Sequence, residues 1–175
     1  MIRTRNHLLA IAVMLSLTTT LTAQALRFSP ERPKPGETLN LTYNPAGTPL
    51  AESKNLNVAG YAFNGFEVEV IEVTWKEKNG QYEGQVAIPA TAKAFFVAVA
   101  DKDTRKPDDN GGKGYGTMLY QADRSTPVAG AQASMGFAIA ANYYLINAQR
   151  DDKLAFNLLR QDFATVKANE NLLSV

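Results

Sequence analysis

Short runs of alternating apolar residues, separated by Pro, Gly and Asn, fill the chain from Leu26 to Gln121, and after Pro127 the apolar period lengthens from 2 to 3.6. Between two of the runs lies Asn79-Gly80, the dipeptide of a tight β-hairpin turn. Together these observations predict a mainly β protein with C-terminal helices. The expected architecture is an immunoglobulin-like β-sandwich of about seven strands over residues 26–122, followed by a helical hairpin over 128–175.

Residues 1–25 are set apart as a secretory signal peptide. Arg3 and Arg5 form a basic start, Leu8 to Leu17 an apolar run, and Ala23-Gln24-Ala25 a small-residue cleavage site, so Ala23 and Ala25 are the expected cleavage residues. The apolar run is far short of the roughly 20 residues that cross a bilayer. No Cys stands at the junction to take a lipid, and after signal removal no membrane anchor is expected. The product is therefore placed in the periplasm or outside the cell.

The first strand is Leu26 to Ser29, closed by Pro30, Pro33, Pro35 and Gly36. Thr38 to Tyr43 follows, with Leu39, Leu41 and Tyr43 on one face, and Asn44 to Pro49 breaks the chain again. Asn55 to Phe63 is the third run. In the fourth, Phe66, Val68 and Val70 share one parity while Ile71, Val73 and Trp75 share the other. A period-two strand cannot send both sets into one core, so the run contains either a bulge near Val70-Ile71 or a passage from one sheet to another. The return strand of the hairpin carries Tyr82, Val86 and Ile88 on a common face. Ala94 to Ala100 is apolar on both faces, the pattern of a central strand covered on both sides. A loop over 101–114 leads to a last strand, Tyr115 to Gln121.

In the helical region Met135, Ile139, Tyr143 and Ile146 form one stripe, flanked by Phe137, Ala141, Tyr144 and Leu145; this helix should be largely buried. Asp151 or Asp152 caps a second helix with Ala155, Leu158, Leu159, Phe163 and Val166 on its apolar side. The hairpin is expected to dock on the Phe95–Val99 strand. A third helix is expected to start near Asn169.

Composition removes whole classes of chemistry. The chain has 175 residues, no Cys and one His, and His7 falls in the signal segment. A mature chain without Cys or His excludes thiol and imidazole catalysis and the zinc sites built on either. Removing residues 1–25 takes away two Arg and no acid, which turns the formal charge of +1 into −1, no footprint for nucleic acid. A domain of this size buries about 70% of its unfolded surface and needs no covalent staples.

Four residues of one loop, Asp101, Asp103, Asp108 and Asp109, with Asn110, are the oxygen ligands that Ca²⁺ prefers, but Arg105 interrupts the alternation and Lys102, Lys106 and Lys113 offset the charge. The competing reading is a solvated loop. Trp75, Tyr82, Tyr115 and Tyr120 are candidates for a sugar-binding face, weighed against burial in the sandwich. Glu67, Glu69 and Glu72 are read as a solvent-facing row rather than a catalytic pair. Gly111-Gly112-Lys113-Gly114 lacks the spacing of a phosphate loop, and the sequon Asn40-Leu41-Thr42 lies inside a strand. No catalytic, cofactor-binding or metal residue is assigned.

Several phrases carry a resemblance: Phe28-Ser29-Pro30-Glu31 with Pro33-Lys34-Pro35-Gly36-Glu37, Tyr43 to Leu50, Asn110 to Tyr115, and Arg150-Asp151-Asp152-Lys153. In these the chain resembles the N-terminal region of exported TlpA-like thioredoxin-family proteins of Bacteroidetes-type bacteria. The resemblance implies an immunoglobulin-like domain followed by tetratricopeptide-like helices, with a Cys-x-x-Cys thioredoxin domain further on. No Cys exists here, so the redox role transfers to no residue. The leading expectation is a non-enzymatic envelope module that contacts protein partners. The alternative is a carbohydrate- or calcium-binding sandwich for surface adhesion or substrate capture.

Overall fold

A computed structural model describes the backbone of residues 24–173 and the side chains as far as Thr165. The expected signal peptide, with His7 and Ala23, lies outside the described residues except for Gln24 and Ala25. Among the described residues nine strands form two antiparallel sheets: β1 (Leu26–Ser29), β2 (Thr38–Tyr43), β3 (Leu56–Asn64), β4 (Glu67–Ile71), β5 (Thr74–Lys78), β6 (Gln81–Ala87), β7 (Ala94–Asp101), β8 (Pro107–Asp108) and β9 (Tyr115–Met118). Helices α1 (Ala131–Ala141) and α2 (Asp152–Leu173) follow. One sheet has the order β1-β2-β6-β5 and the other β4-β3-β7, with β8 and β9 both on the far side of β7. That is the seven-strand arrangement of an immunoglobulin-like sandwich with two extra strands, β4 beside β3 and the two-residue β8 beside β7.

Alternation decides the first sheet. Leu39, Leu41 and Tyr43 are buried and stand opposite Val86, Gly84 and Tyr82, while Asn40 and Gln85 hydrogen-bond on the wet face at 2.9 Å. The β5–β6 turn is the expected two-residue hairpin. Asn79 and Gly80 both take left-handed backbone angles, φ 55° and 77°, and the Gly80 N–H donates to Glu77 Oε1.

The two-phase run resolves by changing sheets, without a bulge. β4 pairs with β3 and β5 with β6, and Glu72-Val73 carries the chain between them. Ile71, Val73 and Trp75 thereby reach the sandwich core. Phe66, Val68 and Val70 fall on the opposite face of the second sheet, on the side of the helices, and stay exposed.

β7 is central and two-faced. Phe95, Val97 and Val99 enter the sandwich core, whereas Ala94 and Phe96 join Phe63, Ala138 and Ile146 in a second core under the helices. Gly116, opposite Phe96 on β9, has no side chain, and the Phe96 ring occupies the place where a Cβ would be. That flattened surface is what α1 lies on. The helices touch the strand through Phe96 rather than through Phe95 or Val99, and α1 makes the contacts with β3, β7 and β9 while α2 packs on α1.

Two helical expectations are corrected. α1 stops at Ala141, so Tyr143 and Ile146 lie in an irregular segment instead of on its stripe. The reason is tertiary: leaving the helix lets Ile146 bury completely, Asn147 Nδ2 donate to the Val99 carbonyl at 3.0 Å, and Ala148 bridge to Lys113. Gly114 permits this approach, since a Cβ there would lie 2.7 Å from the Ile146 carbonyl oxygen. The third helix near Asn169 does not form separately; α2 runs unbroken to Leu173. Asp151 caps α2, its Oδ1 accepting the Leu154 N–H at 2.8 Å. Gly136 lets α1 approach α2, with the Ala155 carbonyl 3.0 Å from where a Cβ would stand.

Candidate functional site

Three hydrogen bonds converge on Asp108, one of them from a strand 65 positions away. Its Oδ2 accepts the phenol protons of Tyr43 and Tyr115, both at 2.7 Å, and its Oδ1 accepts the Asn110 N–H at 3.1 Å. All three side chains are buried, Tyr43 at 0%, Tyr115 and Asp108 at 2% exposure. Inward parity on β2 and β9 points the tyrosines into the core, where each hydroxyl needs a partner. The short β8 strand, paired to Val99, delivers one carboxylate to both. The segments Tyr43 to Leu50 and Asn110 to Tyr115 therefore meet at this carboxylate.

The arrangement holds structure together and performs no evident chemistry. Burial, and beyond it the neighbouring Asp108 carboxylate, push both phenols well above their ordinary range, so neither is a nucleophile near neutral pH. Each phenol commits its single proton to Oδ2, and Oδ1 is occupied by a backbone N–H. A cleft of about 430 Å³ opens beside the cluster, bordered by Asn44, Thr48, Asp108, Asn110 and Tyr115.

The four calcium candidates serve separate tasks. Asp101 Oδ1 accepts the Thr104 N–H at 2.6 Å, the Thr104 hydroxyl at 2.9 Å and the Asp103 N–H at 2.9 Å. These bonds, led by the Thr104 N–H, hold its carboxyl at about 2. Asp103 accepts from Asn55 Nδ2, Asp109 accepts from the Gly111 N–H, and Asp108 holds the tyrosines. Among the described residues no group of three or more metal-ligating acid, His or Cys side chains forms.

The aromatic candidates divide. Trp75, Tyr82 and Tyr115 do come together, but around Tyr43 inside the sandwich, with ring centroids 6.0, 6.4 and 6.3 Å from it. Tyr120 stands apart beneath the Arg32 guanidinium, 5.4 Å from its ring centre. No outward aromatic platform results. Glu67, Glu69 and Glu72 are exposed, as the strand pattern implies. Gly111, Gly112 and Gly114 all take left-handed angles in a tight turn that leads into β9, and no helix follows to bind a phosphate.

Two features escaped the sequence. Arg124 grips Glu37 through both carboxylate oxygens, at 2.5 and 3.0 Å, and ties the 121–127 loop to the β1–β2 connection. This hydrogen bonding holds the Glu37 carboxyl down at about 2. The second is the breadth of the apolar arc on α2. Ala155 is buried against α1, but Phe156 and Phe163 are 65% and 70% exposed on its flank. Phe163 was expected to be covered.

Comparison with known proteins establishes neither a family nor a function. No family model matches the chain, and no curated protein matches it. Among solved structures it is similar to the crystal structure of the Lin-41 filamin domain, at 13% identity and a TM-score of 0.36, over 55% of this chain and 93% of that one. A likeness so remote says nothing of function. Among the described residues no helix is long and apolar enough to cross a membrane.

Proposed function

We propose that this chain is a non-catalytic exported module of the bacterial cell envelope, resembling the scaffold and interaction region of a TlpA-like thioredoxin-family protein without its redox site. The observation that carries the reading is the outward flank of α2, where Phe156 and Phe163 stand exposed on a helix that packs chiefly on α1. Exposed aromatic anchors of this kind are what protein interfaces bury. The partner is a thioredoxin-type domain encoded in frame or adjacent. Export is supported by the basic start, apolar run and small-residue site of residues 1–25. Cleavage after Ala25 would leave every strand whole, because β1 begins at Leu26.

The test has two arms. The DNA immediately downstream should encode a thioredoxin domain, and that domain, purified, should bind the chain in calorimetric titration; Phe156→Ser with Phe163→Ser should weaken binding at least about tenfold. Downstream sequence without such a domain, or binding indifferent to the double substitution, sinks the partner assignment. Insulin reduction by the purified chain would overturn the non-catalytic assignment.

A further inference from the structure

We propose that β4 is a strand-addition site, which takes an extended partner segment of alternating apolar and basic residues. Among the described residues β4 is the outer strand of its sheet, paired to β3 on one side, and its other edge has no strand partner to take up its backbone N–H and C=O groups. Outer strands are ordinarily guarded. β5, the corresponding edge of the other sheet, carries Lys76 and Lys78, and β4 is as short and carries Glu67 and Glu69, so what sets β4 apart is its exposed apolar face. That face exposes Val70 at 68%, with Val68 and the adjoining Phe66 beside it.

The two faces of β4 specify the occupant. On one, Val68 and Val70 ask for apolar neighbours across the ladder, beside Phe66, which lies against the Phe137 ring of α1. On the other, Glu67 and Glu69 line a notch of about 220 Å³ together with the buried Ala62 and Ala92, Pro89 and the exposed Thr91, and no Lys or Arg lines it. Among the described residues neither glutamate is in an ion pair. Acidic side chains beside apolar ones suit a Lys or Arg, whose stem lies on carbon while its head meets carboxylate. A second copy fits poorly, since antiparallel pairing of β4 with itself about Glu69 would set glutamate against glutamate. The surface is distinct from the α2 flank, so either reading can fail without the other.

The experiment is fluorescence anisotropy of the whole chain with labelled heptapeptides. A Val/Lys alternating peptide should saturate below about 1 mM and bind at least about tenfold more tightly than a Val/Glu alternating peptide or a block peptide of the same Val/Lys composition. The Glu67→Lys, Glu69→Lys double variant, both sites being exposed, should reverse the preference toward the Val/Glu peptide while melting at the wild-type temperature. Phe156→Ser with Phe163→Ser should leave peptide binding unchanged. The proposal is overturned if no peptide saturates, if block and alternating peptides bind alike, if the charge reversal leaves the preference as it was, or if β4 proves to be occupied by a second copy, seen as a dimer that Val68→Lys dissociates.

Discussion

Replacing Asp108 by Ala would leave the hydroxyls of Tyr43 and Tyr115 buried without their acceptor and free the Asn110 N–H from its cap. A buried polar group stripped of its partner costs about 1–3 kcal/mol, so two phenols give a loss of about 2–6 kcal/mol. Domains of this size hold only about 5–15 kcal/mol in all. At about 2–4 °C for each kcal/mol, the melting temperature should fall by about 5–20 °C. Asp108→Asn, which keeps one acceptor oxygen, should lose less. The informative comparison is the triple variant Asp108→Leu, Tyr43→Phe, Tyr115→Phe, which removes donors and acceptor together. Because the cost lies in the orphaned groups more than in the lost attraction, the triple should recover much of the stability that Asp108→Ala loses. Urea unfolding with calorimetry measures all three. An Asp108→Ala loss below about 0.5 kcal/mol, the range of an ordinary surface substitution, would refute the reasoning. So would a triple variant no more stable than the single one.

Gly116→Ala should place a methyl group in the Phe96 ring; overpacking of this kind costs about 1–3 kcal/mol, and because Phe96 seats α1, limited proteolysis should cut the helical region faster than in the wild type. Unchanged proteolysis would mean that α1 is held elsewhere. Glu37 and Asp101 both have carboxyls depressed to about 2 from 4.5 and 3.8. With the native value depressed, the unfolded chain binds more protons, so the contribution is complete above the ordinary carboxylate range and is lost as pH falls toward 2. Glu37→Gln should therefore flatten the stability profile between about pH 5 and 2, and an unchanged slope there would count against the Arg124 clamp. Titration with Ca²⁺ should give neither heat nor a melting shift, because the four aspartates are spent on separate protein donors; a saturable signal would contradict their placement.

Much of the sandwich was legible because its determinants are local. Leu39, Leu41 and Tyr43 alternate on β2, and Asn79-Gly80 can form its turn with little help from elsewhere. The double-faced character of β7 was equally readable, since eight consecutive positions include both apolar parities. The helical region was read less well. Its periodicity continued past Ala141, but burial of Ile146 and the pairing of Ala148 with Lys113 outweighed the helix there.

By itself, the sequence determined the β-then-α order, the strand parities and the absence of thiol and imidazole chemistry from the chain after residue 25, because those depend on residue identity and short spacing. Only the tertiary structure decided which parity of the β4–β5 run faces which core. It alone showed that Asp108, weighed as a calcium candidate against a solvated loop, is the acceptor for two tyrosines, one of them 65 positions away. It also showed that Phe156 and Phe163 are left uncovered. A hydrogen bond across that many positions carries no local periodicity, and whether an apolar side chain is covered depends on how much surface the opposing elements supply.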